Sequence, residues 1–518
     1  MRSRWFVWTC VALAVVVFLS GCGGTEPESD PAVEDKTIVV GIKESVVTLD
    51  PAMYRGRVTE TVLRNMFDGL VTRTTDMEIV PEIAESWENP SPTEWIFKIR
   101  QGITFHNGDP LTADDVVYSF ERIITPEFID GQSSPRDGLL GTLETVEKLD
   151  DYTVKFIFSE PWPIFLRMLP HTQIVPKKYI EEHGAAHFAR NPVGAGPFKF
   201  VRGQLDEEIV MERYDDYYGG SPDLPPVGPP PLKTVIFKVL PETATRVAAL
   251  QAGDAHIIQA VPPHLASQLK ADSNIEVKTA IGTRLFFLEF NVTKEPLDNV
   301  LVRRAINHAI DWDAIIDNVL EGYAAFTPAP AIPGSVGYND EIKGYEYSPE
   351  KAQELLAAAG YPRGFKLVID CESEFKDVTE AIAQMLNEVG IEASVEIWDG
   401  AVIKDKLVKG ERQASFGSWG NSTMDPYDLF EPKLLPGERG NYSHYNNPEV
   451  NALLKSATVT VDEEARAQMY RDIQAQVVED APWAVGYSSQ EIEACRSNVV
   501  NWEPSPANRI NLHDVDLK

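Results

Sequence analysis

The sequence predicts an α/β protein built from two or three packed units, and three observations predict it. The chain has 518 residues, and what remains after an N-terminal leader exceeds what one hydrophobic core serves, because chains beyond roughly 250–300 residues divide into domains. Strand-like and helix-like segments also alternate in β-α-β order: Phe365 to Asp370 reads as a strand, Asp377 to Glu388 as a helix stopped by Gly390, and Ser394 to Trp398 as a strand again. Finally, Trp95 to Val116 changes period within one unit. Trp95, Phe97 and Ile99 alternate as in a half-buried strand, Gly102 and Asn107-Gly108-Asp109-Pro110 supply turn chemistry, and Thr112 with Asp115 has the form of a capping box. Val116, Val117, Phe120 and Ile123-Ile124 then give a helix its apolar face.

From the N-terminus, Arg2 and Arg4 precede a run from Trp5 to Leu19 that is apolar except for Thr9, and Leu19-Ser20-Gly21-Cys22 follows. About 15 apolar residues, against the roughly 20 that span a bilayer, read as a cleaved leader, residues 1–21; an uncleaved anchor helix is the alternative. Leu-Ser-Gly-Cys resembles the bacterial lipobox, which implies lipidation of Cys22 and membrane attachment through that lipid. Residues 22–36 are then a polar, proline-bearing tether. Removing residues 1–21 takes two arginines from the 47 basic side chains and none from the 79 acidic ones, so the net charge moves from −32 to −34. Such a balance argues against nucleic-acid partners and against an anionic lipid surface. Beyond the leader and Cys22, only Cys371 and Cys495 remain as thiols, either buried and free or paired as one disulfide.

Thr37 to Ile42 reads as a buried strand closed by the turn Leu49-Asp50-Pro51, and a helix with Val62, Leu63, Met66 and Phe67 on its apolar side follows. Thr153 to Phe158 and Thr234 to Leu240 read as strands, and Thr243 to Ala252 as a helix ending at Gly253. Six prolines between Ser221 and Pro231 predict an extended surface loop. Leu285 to Asn291 reads as a strand that opens a second unit. Ser348-Pro349-Glu350 is a helix start and Gly360 a stop. The glycines of Asn191-Pro192-Val193-Gly194-Ala195-Gly196-Pro197-Phe198 lack the lysine and following helix of a phosphate loop, so they read as a chain-reversal turn.

Several of these segments resemble the family 5 extracytoplasmic solute-binding proteins, the peptide-binding subunits of ABC importers. The resemblance rests on Trp95–Val116, Asp68-Gly69-Leu70, Val80 to Trp87, Ile174 to Tyr179, Asn191 to Phe198 with Ala195 where threonine is usual, and Val302 to Asp311. It implies a two-lobed, periplasmic-binding-protein-like fold of type II, of the large cluster with an extra subdomain in the first lobe. The implied boundaries are 37–71, 191–281 and 488–518 for lobe I, 72–190 for the inserted subdomain, and 282–487 for lobe II. The resemblance further implies a non-enzymatic, cofactor-free, monomeric, extracytoplasmic protein whose partners are a small solute and the permease and ATPase subunits of an importer. The alternatives are an oligosaccharide- or cationic-solute-binding member, a chaperone or sensor lipoprotein, and a hydrolase.

By the same resemblance, Tyr54 and Arg55 edge the ligand cleft, and Glu372, Asn421 and Ser422 belong to the segments that line it. Trp398 and Trp419 are read either as stacking on a sugar ring or side chain there or as packing within the lobe, and Arg284 either as reaching the cleft from the crossover into the second lobe or as a salt bridge at the hinge. In peptide-binding relatives an aspartate four residues before the proline of the Trp419–Pro426 loop pairs with the ligand's ammonium group; here that position is Ser422. Dipeptide binders also offer an arginine after the second-lobe strand, where this chain has Ile369-Asp370-Cys371-Glu372. Both charged clamps are therefore expected to be absent. His183 and His187 stand four apart but lack a third metal ligand. Neither Gly334-Ser335-Val336-Gly337 nor Gly417-Ser418-Trp419-Gly420 has nucleophile-elbow spacing. Asp114-Asp115 is explained by the first turn of a helix.

Overall fold

A computed structural model describes residues 36–518 apart from Pro226. The leader, Cys22 and all of the tether except Lys36 lie outside the described residues. The described chain is organised on one long mixed sheet. Its strands run, from edge to edge, Glu392–Trp398, Lys366–Glu372, Ala414–Gly420, Ile275–Phe290, Trp483–Arg496, Ile257–Ile258, Thr37–Ile42, Thr234–Val239, Glu208–Arg213 and Phe198–Gln204, with Ala324–Phe326 added beside Trp483–Arg496.

The two central strands, Ile275–Phe290 and Trp483–Arg496, are antiparallel and far longer than a typical strand of about 5–6 residues. Ile275 to Ile281 pairs with Arg496 to Gln490, then the register shifts, and Leu285 to Glu289 pairs with Ser488 to Trp483. The shift divides the sheet into halves with separate cores. On one side, Ile38, Val40, Phe67, Phe198, Phe237 and Trp502 belong to one buried cluster. On the other, Leu288, Phe290, Ile306, Leu367, Ile369 and Phe416 belong to another. The second-unit strand thus begins ten residues earlier than the sequence predicts. Its first half is partly exposed and lacks the apolar run that marks Leu285 onward.

A separate antiparallel sheet, in the order Ala84–Ser91, Glu94–Ile99, Thr153–Phe158, Leu143–Asp150, holds the Trp95–Val116 unit. Phe97 and Ile99 are buried while Lys98 is exposed, so the alternation reads as expected. Helix Ala113–Ile124 follows, and the Asp115 carboxylate accepts the Thr112 amide at 2.9 Å, which is the predicted capping contact. Its other oxygen accepts the Lys177 amide at 3.0 Å, so this acid also fixes the start of a later helix, Lys177–His183. Phe97, Phe120, Phe156 and Phe165 meet edge-on or tilted, with centroids 4.8–5.4 Å apart for the pairs that include Phe156. Such pairs add to the burial of their rings.

Helix Arg57–Leu63 is shorter than predicted; past it Met66 and Phe67 both donate to the Leu63 carbonyl, and the carbonyls of Asn65 and Met66 are taken by the Gly194–Phe198 turn. Gly196 donates to the Met66 carbonyl at 2.9 Å and Phe198 to that of Asn65 at 3.0 Å. A Cβ on Gly194 would stand 2.0 Å from the Met66 oxygen, and only glycine permits that approach. Helices Thr243–Ala252 and Pro349–Ala358 have their predicted limits, the latter capped by Ser348. Cys371 and Cys495 are buried free thiols.

Replacing Phe156, a fully buried ring of the side sheet, by alanine is expected to cost about 3–5 kcal/mol. Urea unfolding of the variant and the wild type measures the difference.

Candidate functional site

A chamber of about 520 Å³ lies where the two halves of the long sheet face each other. Arg55, Arg57, Glu60, His171 and Arg509 line it from one side; Arg284, Lys404, Trp419, Ser422 and Arg439 line it from the other. A smaller cavity of about 160 Å³ shares Arg284, Lys404 and Trp419 with it and extends between Glu372, Phe375 and Ser418.

The floor of the chamber is a buried ionic group. Glu60, on helix Arg57–Leu63, accepts Arg509 Nη2 at 2.5 Å on one oxygen and faces His171 Nδ1 at 2.9 Å with the other. Burial works against the charge of Glu60, but Arg509 and His171 together hold its carboxyl well below the usual range. Nδ1–H of His171 donates a hydrogen bond to the ionised Glu60, which leaves Nε2 as an acceptor. Arg73 Nη1 and Ser422 Oγ approach that nitrogen at 3.3 and 3.4 Å. Burial, reinforced by Arg73 and Arg509, lowers His171 to about 3, so it stays neutral at physiological pH. Arg136 stacks 4.1 Å from the centre of the Tyr54 ring and donates to the backbone oxygens of Tyr54 and His171.

The wall opposite is built on strand Ala414–Gly420 and the loop after it. Arg284 pairs in register with Gly420, and its Nη2 donates to Ser418 Oγ at 2.6 Å. Nη2 of Arg57 would lie 2.0 Å from a Cβ on Gly420, so the absence of a side chain there admits the guanidinium from across the chamber. Trp419 donates to the Asp428 carbonyl at 2.9 Å, and Arg439 and Lys433 lie 4.9 and 5.3 Å from its ring centre. Lys433 in turn is paired with Glu289 at 2.6 Å, both nearly fully buried. Burial raises Asp428 to about 6 against the pull of Arg57, Arg73 and Arg439.

Of the residues expected from sequence, Arg55, Arg284, Trp419 and Ser422 line the chamber and Glu372 the smaller cavity, where it pairs with Lys404 at 3.1 Å. Tyr54, Asn421 and Trp398 line neither cavity. Tyr54 is buried beneath Arg136, with its hydroxyl 3.3 Å from Gln173 Oε1. Asn421 is fully buried and accepts from the Thr423 hydroxyl. Trp398 donates to Asp370, which is itself held by Arg412, and Lys406 and Arg412 flank its ring. Asp425 also turns away, fixed by Arg466 and Tyr470.

Beyond the two motif positions at Ser422 and Ile369–Glu372, four arginines of the lining were missed in the sequence. Arg57, Arg136, Arg439 and Arg509 bring to the chamber the guanidinium groups that the Ile369–Glu372 segment does not supply. His183 and His187 stack on each other, and each is hydrogen-bonded to Tyr179.

A family model described as bacterial extracellular solute-binding proteins, family 5 middle, matches residues 78–441. Heme-binding protein A of Haemophilus influenzae is 31% identical over 79% of this chain and 78% of its own length. The dipeptide-binding protein of Escherichia coli is 27% identical over 94% of this chain and 96% of its own. Among solved structures, the ABC transporter-associated periplasmic binding protein DppA from Helicobacter pylori, in complex with peptide STSA, superposes with a TM-score of 0.78. It is 28% identical and covers 93% of this chain and 98% of its own.

The buried imidazole predicts a pH dependence. Below about pH 6.5 the unfolded chain protonates this histidine while the folded one refuses the proton until about pH 3, so stability falls as pH drops through that window. Relative to His171→Gln, the wild type should lose up to about 1.4 kcal/mol per pH unit between pH 6 and 4. Urea unfolding at stepped pH checks this, and parallel curves for the two proteins would refute it.

Proposed function

Because this chain belongs to the bacterial extracellular solute-binding proteins of family 5, we propose that it encloses a peptide or peptide-like solute between its lobes and presents the closed form to the permease of an ABC importer. It is a binding protein, not an enzyme, and it has the two-lobed α/β fold of its periplasmic peptide-binding relatives. The observation that carries the reading is the chamber walled from both halves of the long sheet. A solute there touches both walls, so it favours the closed form by its differential affinity for that form. The volume lies within the roughly 300–1,000 Å³ of small-molecule sites. The relative solved with peptide STSA supports a peptide as the solute.

In this reading Arg55, Arg284, Trp419 and Ser422 contact the solute, Glu372 borders an extension of the site, and a lipid on Cys22 holds the protein at the membrane surface. The protein works as a monomer outside the cytoplasm, and ATP hydrolysis belongs to partner subunits.

Two measurements test the proposal. A peptide that binds the folded state should stabilise it by about 2.7 kcal/mol at a hundred times its Kd, read as a rise in melting temperature; if no peptide of any length does so and a sugar does, the peptide assignment is wrong. Cys22→Ser should abolish incorporation of labelled fatty acid and move the protein from the membrane to the soluble fraction. Unchanged fractionation would rule out the lipid anchor.

A further inference from the structure

The charge of the chamber is opposite to that of the chain. In a protein with a formal net charge of −32, eight basic side chains line the chamber against three carboxylates. One of those carboxylates, Glu60, is consumed by Arg509 and His171. The arginines form two trios. Arg57 has Arg509 and Arg284 as its repelling neighbours and, chiefly through burial, is lowered to about 10, so it remains charged. Arg55 has Arg439 and Arg136 as its repelling neighbours. The first trio is half-buried, and in the second Arg55 and Arg439 are exposed.

Like charges held together in a partly desolvated space cost free energy unless something neutralises them. Among the described residues, no carboxylate comes within 4.0 Å of Arg55, Arg57, Arg136, Arg284 or Arg439; only Arg509 has such a partner. Nη1 of Arg57 and the Nε atoms of Arg136 and Arg509 are also enclosed without a hydrogen-bond partner. Glu44 and the half-buried Asp428 are the two other carboxylates of the lining, and Glu491 and Asp137 attract Arg57 and Arg55 from beyond ion-pair distance, so the six arginines stay in excess. Enclosed donors without acceptors are rare unless a ligand completes them. Guanidinium groups match carboxylates with two parallel hydrogen bonds.

Resting on the capture of a solute in this chamber, the geometry points to a ligand with at least two carboxylate groups, one for each arginine trio: a peptide in which an acidic side chain accompanies the terminal carboxylate. Its ammonium group has no counterpart at Ser422, where a hydroxyl faces His171, so recognition runs through the anionic ends. A cationic solute meets repulsion from both trios.

Isothermal titration of the mature chain, freed of endogenous solute by dialysis, tests this with the tripeptides Ala-Glu-Glu, Ala-Gln-Gln and Ala-Lys-Lys and with citrate. Ala-Glu-Glu is expected to bind at least tenfold tighter than its isosteric amide Ala-Gln-Gln, with affinity falling as salt rises. Arg57→Gln and Arg439→Gln, each checked for a wild-type circular dichroism spectrum, should reduce that preference at least fivefold; should either fail to fold, the peptide and salt series still decide. Equal binding of Ala-Gln-Gln, or tighter binding of Ala-Lys-Lys, overturns the inference and leaves solute capture standing. Citrate binding without any of the peptides upholds the carboxylate chemistry and removes the peptide. If no probe binds and native mass spectrometry of undialysed protein finds no solute, the inference and the capture reading both fall.

Discussion

Two antiparallel strands carry this protein across its own middle. Ile275–Phe290 and Trp483–Arg496 lie side by side at the centre of the long sheet, and each contributes backbone hydrogen bonds to both halves. A backbone ladder is stiff along its length, and a register shift locally disrupts it and increases its twist. Here the shift falls between Ile281 and Leu285, so Arg284 sits at the break and turns its guanidinium into the chamber. The place where the sheet bends best is thus also a wall of the site, and any movement of one half against the other changes the distance between Arg284 and Arg57.

Electrostatics makes that distance consequential. With nothing between them, the guanidinium groups of the two walls repel and favour separation; with an anionic group between them, the same charges attract both walls to one centre. At 4 Å a pair of unit charges interacts by about 1 kcal/mol in bulk water and by about 4 kcal/mol at an effective dielectric near 20. The members of the Glu60–His171–Arg509 group are bonded to one another, which ties the floor together independently of any solute. The excess of acidic side chains over the whole chain sets the cationic lining of the chamber apart from the rest of the molecule.

The scaffold was legible in the sequence and much of the site was not, for a physical reason. Periodicity, turn glycines and caps are local, so the Trp95–Val116 unit, the capping contact of Asp115 and the limits of helix Thr243–Ala252 could be read from neighbours in the chain. Past the end of helix Arg57–Leu63, the carbonyls of Met66 and Asn65 are claimed by Gly196 and Phe198, more than a hundred residues away, a contact that no local pattern announces. The chamber arginines are dispersed in the same way. Arg57, Arg136, Arg439 and Arg509 come from four separate segments, and none stands in a pattern that marks it. Ser422 was recognisable as a departure from a motif, but that motif says nothing of guanidinium groups that reach the chamber from other segments. Trp398 and Tyr54 carried aromatic promise, and packing absorbed both.

The two buried thiols divide the molecule in a different sense. Cys495 lies on Trp483–Arg496 opposite Ile257 and Glu276, and burial pushes its thiol up to about 12. Cys371 lies on Lys366–Glu372, also raised by burial, yet it forms part of the wall of the smaller cavity. An alkylating reagent therefore meets two different clocks. Modification of Cys495 waits for one half of the protein to come apart, whereas modification of Cys371 keeps time with the breathing of the cavity, and a bound solute that reaches it would slow only the second.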